Sequence, residues 1–329
     1  MKNTENQIAA MKAQTFGVEI EMNSITRHDA AKVAADFFGT GRFENTAYRN
    51  GYSTWSAYDQ QGREWKFASD CSIAGPQESQ TELVTPVLTY GDIETLQELC
   101  RRLRKAGAKS DASRGCGIHI HVGLKGLDGN DHTAKSLRNL ANIMASHEQL
   151  LVGALKIADS RTTTYCKPVN PDFLALVNSK KPQTMEELAD VWYEGNHASY
   201  GRTRHYNDSR YHMLNLHPGM AYTLGSTDHA KPTVEFRLFQ FDTPTAERKG
   251  GIHAGQLKSY IQLCLALSAM AKAVKTASPK PQQNENPKYA MRTWLLRLGF
   301  IGEEFKTARE FLTKNLEGDA AFRHGRAIA

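Results

Sequence analysis

Apolar and acidic residues alternate in Thr15-Phe16-Gly17-Val18-Glu19-Ile20-Glu21-Met22, near the start of the chain. The period of two predicts a strand with Val18, Ile20 and Met22 on one face. Glu19 and Glu21 then share the other face, about 7 Å apart. Carboxylates that close repel each other, and burial sharpens the repulsion. The face is therefore either solvated or kept for cations, and the E-x-E pattern alone leaves both open.

The same reading carries on along the chain. His28 to Phe38 has alanines and Phe38 at helical spacing and ends at Gly39 and Gly41. Tyr52–Tyr58 and Trp65–Phe67 alternate polar and aromatic residues around an Asp59–Gly62 turn, which predicts a hairpin. Thr81–Pro86 is a further strand stopped by its proline. Asp92–Lys105 is an amphipathic helix with Leu96, Leu99, Cys100 and Leu103 as its stripe. Gly115–Gly123 predicts a strand with His119 and His121 opposite Ile118, Ile120 and Val122. A long helix covers about His132–Ile157. Arg161 to Arg210 reads as polar loops around a pocket, with one short helix near Met185–Trp192. Strands are predicted at Tyr211–Leu216 and Thr233–Phe239, then a helix over Thr245–Lys275, broken near Gly250-Gly251. A polar linker from Ser278 leads to helices near Lys288–Leu298 and Glu303–Asn315.

Strands and helices alternate unevenly, without a strict βαβ order, which predicts an α+β fold with a mostly antiparallel sheet. No internal repeat or domain boundary is visible. The expectation is one domain over residues 1–329, with 278–329 as a helical C-terminal extension.

Composition adds limits. A chain of 329 residues with 40% hydrophobic and 23% charged residues has the makeup of an ordinary globular protein. No apolar run has the length of a membrane span, and Met1–Gln14 is polar, which predicts a cytoplasmic protein with no membrane association. Five scattered cysteines, without a C-x-x-C pair, suggest neither a disulfide framework nor a cysteine-based zinc site. A net charge of +6 suits a phosphate-bearing ligand or an acidic partner without requiring either. No Gly-rich stretch ends in Gly-Lys-Ser/Thr, so P-loop chemistry is not expected.

Four predicted strands each put acid, imidazole or guanidinium groups on a single face: Glu19/Glu21, Glu82, His119/His121 and Glu235/Arg237. Together these are too polar to be a core. The face is either solvated or lines a metal and phosphate site. Carboxylates suit hard divalent cations, and an arginine suits phosphate as a bidentate partner.

In this order, G-x-E-x-E, D-x-S (Asp70-Cys71-Ser72), E-L-V-T-P, G-x-H-x-H and E-x-R resemble the glutamine synthetase-like carboxylate–amine ligases, and among them the amidoligase family. The resemblance spans roughly residues 15 to 240. It implies a curved antiparallel sheet cradling ATP and two or three Mg²⁺ or Mn²⁺ ions, with helices outside. Glu19, Glu21, Glu82, His119 and Glu235 would ligate metal. Arg237 would neutralise the transferring phosphate, with His121 and Asn215 also near the nucleotide and Arg210 at a phosphate or carboxylate. Asp70, a candidate general base, and Ser72 would touch the acid or the amine. The implied reaction joins a small-molecule or peptide carboxylate to an amine donor through an acyl phosphate. An oligomer is allowed.

Two rivals stand beside it. One is a metal-dependent hydrolase using His119 and His121 as transition-metal ligands. The other is a non-catalytic nucleic-acid binder using the basic, tyrosine-rich segment Arg202–His212, which lacks any recognised motif for that role. Cys116, on a Gly-rich turn, reads as a small buried residue rather than a nucleophile.

Overall fold

The computed structural model describes residues 2–247, 250–281 and 285–323. Their order is helix α1 (Lys2–Lys12), strand β1 (Gln14–Met22), α2 (Arg27–Phe38), β2 (Phe43–Asn45), α3 (Ala47–Asn50), β3 (Trp55–Tyr58), β4 (Glu64–Ala68) and β5 (Thr81–Val84). Then come α4 (Ile93–Lys105), β6 (Ile118–Gly126), α5 (Ala134–Leu155), α6 (Asp159–Thr163), α7 (Pro171–Lys180) and α8 (Met185–Gly195). The chain continues through β7 (Leu214–Asn215), α9 (His217–Thr223), β8 (Thr233–Phe239), α10 (Ala254–Ala273), α11 (Pro287–Arg297) and α12 (Lys306–Thr313). Part of the predicted polar linker, 282–284, lies outside the described residues.

The chain divides into two compact units. One holds residues 16–120 and 239–258; the other holds 1–15, 121–238 and 259–329. In the first, the strands run in the order β2-β3-β4-β5-β1-β6. In the second, β6 is followed by β8 and β7. The pairings β2–β3, β3–β4, β4–β5, β5–β1 and β8–β7 are all antiparallel, as the α+β reading expects.

In the first unit the register sets which side chains share a face. Ile20 stands opposite Leu83 and Met22 opposite Thr81, so the apolar set of β1 meets that of β5. Phe67 of β4 continues the same face. Helix α2 packs on β3, β4 and α4, and its fully buried alanines, Ala30, Ala31, Ala34 and Ala35, leave room for close approach. Thr26 caps that helix by accepting from the Asp29 amide, and Gly39 ends it in the left-handed region. Beyond β5, Thr85 prolongs the ladder: its hydroxyl accepts from the Val18 amide at 2.9 Å, just before Pro86.

In the second unit Val234, Phe236 and Leu238 of β8 are buried, with Glu235 and Arg237 on the opposite face. Helices α5, α7, α8 and α9 pack in succession, and α11 and α12 pack together.

Three predictions need correction. Residues 161–210 are largely helical, with α6, α7 and α8; Asn170 caps α7 with Pro171 behind it. The strand predicted at Tyr211–Leu216 is only Leu214–Asn215, because residues 211–213 pair with Lys167 instead: Lys167 donates to the Tyr211 carbonyl and Met213 to the Lys167 carbonyl. The helix predicted from Thr245 begins at Ala254. A Cβ on Gly250 would lie 2.3 Å from the Asp242 carbonyl, and the Gly251 amide donates to that same oxygen. The chain therefore folds back on itself before the helix can start.

Candidate functional site

Two polar groups are built, one in each unit, on the faces that the strand alternation turns away from the core. The first begins with a pairing: Glu21 of β1 lies directly opposite Glu82 of β5, while Glu19 faces Val84. Like charges at directly opposed positions destabilise a sheet, so this pair stands where unaided β-pairing would avoid it. The Gly117 amide donates to Glu21 Oε2 at 2.5 Å. His119 on β6 adds an imidazole between the two glutamates, with Nδ1 at 3.2 Å from Glu19 Oε2 and Nε2 at 3.8 Å from Glu21 Oε1. Glu21 and His119 are buried and Glu19 is nearly so.

Asp70 joins them from the loop after β4. Ligand atoms of Glu19, Glu82 and His119 lie within 4.8 Å of one another, and so do those of Glu21, Asp70 and Glu82. A set of four carboxylates and one imidazole has the chemistry of a hard divalent site. Magnesium or manganese fits it; the thiolates a soft metal would favour are missing from the set. Asp70 also accepts from the Ser72 amide at 2.8 Å, turning the chain so that Ser72 is exposed. The loop is seated by Gly115, whose φ of +69° and whose position permit no Cβ: one would lie 2.9 Å from the Ser72 carbonyl.

Cys116 is fully buried next to this group. Burial, with the charges of Glu21 and Asp111 nearby, pushes its thiol up to about 12, the opposite of an activated nucleophile.

The second group centres on Glu235 of β8. Asn215 faces it across the β7–β8 ladder and donates to Oε2 at 2.6 Å. Arg237 donates from Nη1 to Oε1 at 2.6 Å. His121 lies with Nε2 at 4.0 Å from the same Oε1 and has Nδ1 at 2.9 Å from the Thr233 hydroxyl. Arg210 is outside this network: it donates to the His205 carbonyl at 3.1 Å and lies over the Tyr206 ring.

The structure thus gathers Glu19, Glu21, Asp70, Glu82 and His119 in one group and His121, Asn215, Glu235 and Arg237 in the other. The alternation of each strand puts Glu19/Glu21, His119/His121 and Glu235/Arg237 on polar faces but does not divide them into these two groups, and the family resemblance sets His119 and Glu235 at one metal site. Two features had no such signal. Asp70, expected toward a substrate, has a carboxylate oxygen within 4.8 Å of those of Glu21 and Glu82. Arg161, on the short helix α6, donates from Nη2 to the Arg237 carbonyl at 2.9 Å. A five-residue helix has too few turns to show a period.

A family model described as "Putative amidoligase enzyme" matches residues 12–268, which contain both groups. The chain belongs to the amidoligase family. No curated protein matches it. Among solved structures, a bifunctional glutathione synthetase from Pasteurella multocida is similar at 16% identity and a TM-score of 0.43, covering 95% of this chain. The amidoligase chain spans 48%, about half, of that protein's length. Among its described residues no helix is long and apolar enough to cross a membrane.

Proposed function

We propose that this amidoligase is an ATP-dependent carboxylate–amine ligase that forms an amide or isopeptide bond. In that reaction a carboxylate oxygen takes the terminal phosphoryl group of ATP, ADP leaves, and an amine then displaces phosphate from the acyl carbon. The observation that carries the reading is the oxygen-rich donor set of Glu19, Glu21, Asp70, Glu82 and His119 in a member of this family.

Glu19, Glu21, Glu82 and His119 would hold Mg²⁺ or Mn²⁺, which would supply positive charge against the phosphates. Arg237 would supply fixed positive charge to phosphoryl oxygens, kept in place by Glu235. Glu235, a metal ligand in the sequence reading, keeps that candidate role and also accepts from Arg237 and Asn215, orienting these two side chains. His121 and Asn215 would flank the nucleotide phosphates. Asp70 would take a proton from the incoming ammonium group, with Ser72 exposed nearby to meet the substrate. Phosphoryl transfer of this kind needs position and charge rather than a nucleophilic side chain, which agrees with the buried thiol of Cys116. The acid and the amine are small molecules or peptides.

The test is thermal shift with ATP and Mg²⁺ on wild type, Glu19→Gln and Glu235→Gln, followed by ADP release from pooled acids and amines. The reading expects nucleotide with Mg²⁺ to raise the melting point of wild type and of neither variant. Stabilisation by Zn²⁺ with no response to nucleotide overturns it in favour of a histidine-metal hydrolase.

A further inference from the structure

The sheet face that carries the carboxylates of the first unit continues past them onto β4. Trp65 and Phe67 of that strand are fully buried, so Glu64, Lys66 and Ala68 share the carboxylate face. Register then fixes the neighbours. Ala68 stands opposite Glu82, which stands opposite Glu21; Lys66 stands opposite Val84, which stands opposite Glu19. The second row therefore runs from a carboxylate over an apolar side chain to an ammonium. Val84 is only partly buried, and with Ala68 it makes a short apolar floor between the two charges.

Lys66 is not tied into the fold. The acid next to it on β4, Glu64, is already engaged: its Oε1 accepts from Arg49 at 2.9 Å, Asn50 at 3.0 Å and Ser56 at 2.8 Å. Lys66 Nζ comes only to 3.9 Å from the other oxygen, too far for a hydrogen bond, and donates none among the described residues. Its side chain is 38% exposed, and an ion pair at that distance and exposure adds little to stability. A lysine on an outer surface needs no partner. This one stands on the face of the proposed metal site, two strand spacings or about 10 Å from the backbone of β1.

We infer that Lys66 selects the acid substrate by taking a second carboxylate of that molecule. The aliphatic stem lies over Val84 and Ala68, and the reacting carboxylate lies toward Glu19, Glu21 and Glu82. The substrate class is then a dicarboxylate with a short aliphatic stem, free or as an acidic residue of a peptide. An ammonium on a flexible stem suits a carboxylate as a point charge with three donors. That the bound acid is the one activated rests on the ligase reading; the binding itself does not.

The test titrates the full chain calorimetrically, in Mg²⁺, with glutarate, adipate and pimelate and with the monocarboxylates of the same chain lengths. Wild type is expected to bind at least one dicarboxylate about tenfold more tightly than its monocarboxylate, the gain of one charged hydrogen bond. The gain should shrink as salt rises. Lys66→Met keeps the stem without the charge and should erase the difference, and Lys66→Arg should retain part of it. Both variants should melt with wild type, because no hydrogen bond inside the protein is lost. No preference for dicarboxylates in wild type overturns the inference, and so does an equal preference in Lys66→Met. A Lys66→Met protein that melts clearly lower also counts against it, since the lysine would then serve the fold. Loss of affinity for ATP with Mg²⁺ in place of the dicarboxylate would give Lys66 to the nucleotide and overturn it as well. A protein that prefers dicarboxylates through Lys66 yet shows no response to ATP with Mg²⁺ keeps the acid site and loses the ligase reading; the converse result removes only the acid site.

Discussion

Glu21 and Glu82 stand directly opposite each other on adjacent antiparallel strands, with the Asp70 carboxylate close to both. Without a cation this arrangement opposes folding. Glu82→Gln should therefore stabilise the metal-free protein, by about 0.5–1 kcal/mol, while removing most of the stabilisation that Mg²⁺ gives to wild type. Melting curves with EDTA and with Mg²⁺ check both halves. A glutamine variant that melts lower than wild type in EDTA would show that the pair is satisfied without metal.

Arg237 and Glu235 form a buried pair at 2.6 Å, with side chains 7% and 3% exposed. Arg237→Met leaves the Glu235 charge in place with Asn215 and should cost about 3–5 kcal/mol of stability. Adding Glu235→Gln should restore much of that loss but none of the activity. Denaturant unfolding of the two single variants and the double variant separates the stability effect from catalysis.

His132 is buried between the hydroxyls of Ser136 and Ser268, at 2.9 and 2.7 Å. Burial, with Lys272 nearby, pushes its pKa down to about 3. The unfolded chain takes up this proton near pH 6.5 and the folded chain only near pH 3, so the unfolded state binds more protons between these values. Stability from this group is thus complete above about pH 6.5 and falls as the pH drops, by on the order of 3 kcal/mol between pH 7 and pH 4. His132→Gln is expected to be less stable at pH 7 but to lose less over that window. Unfolding midpoints measured at several pH values test it, and parallel pH profiles for the two proteins would refute it.

Gly115 has no room for a side chain, being in the left-handed region and against the Ser72 carbonyl. Gly115→Ala should cost about 1–3 kcal/mol and shift the loop that carries Asp70, weakening Mg²⁺ binding as well. Calorimetric titration of Mg²⁺ reads the second effect; a variant that is destabilised but binds Mg²⁺ with wild-type affinity would detach Asp70 from the metal site.

How far the sequence discloses this structure depends on whether a segment's pattern is local. Val18/Ile20/Met22 against Glu19/Glu21, and Ile118/Ile120/Val122 against His119/His121, state the strand and its two faces within a few residues. The polar groups are legible for the same reason, because each strand contributes its own face. Tyr211–Leu216 fails because its pattern is extended but its partners are not local: Lys167 takes one part and β8 the other. Helix α7 is missed although its start is written in Asn170-Pro171, since the unbroken apolar run Phe173–Val177 hides the period, with only Phe173 and Val177 buried. Arg161 could not be singled out at all. Its place is set by a carbonyl 76 residues away in the chain.

The loop from Asp70 to Gln80 is fastened mostly through main-chain atoms. Arg27 donates to the carbonyls of Gln77 and Gln80, Asn23 to that of Ala74, and the Ala74 amide binds the Arg114 carbonyl. Cys71, Ser72 and residues 74–78 meanwhile turn their side chains outward. Asp70, buried Ile73, Gly75 with its φ of +116° and Gln80, whose side chain donates to the Ile73 carbonyl, are set by their own identity, while the outward positions between them bring only the amide and carbonyl groups that nearly every amino acid has. Substitutions among those outward residues can therefore change what the loop presents next to Asp70 while leaving the carboxylates beneath it in place.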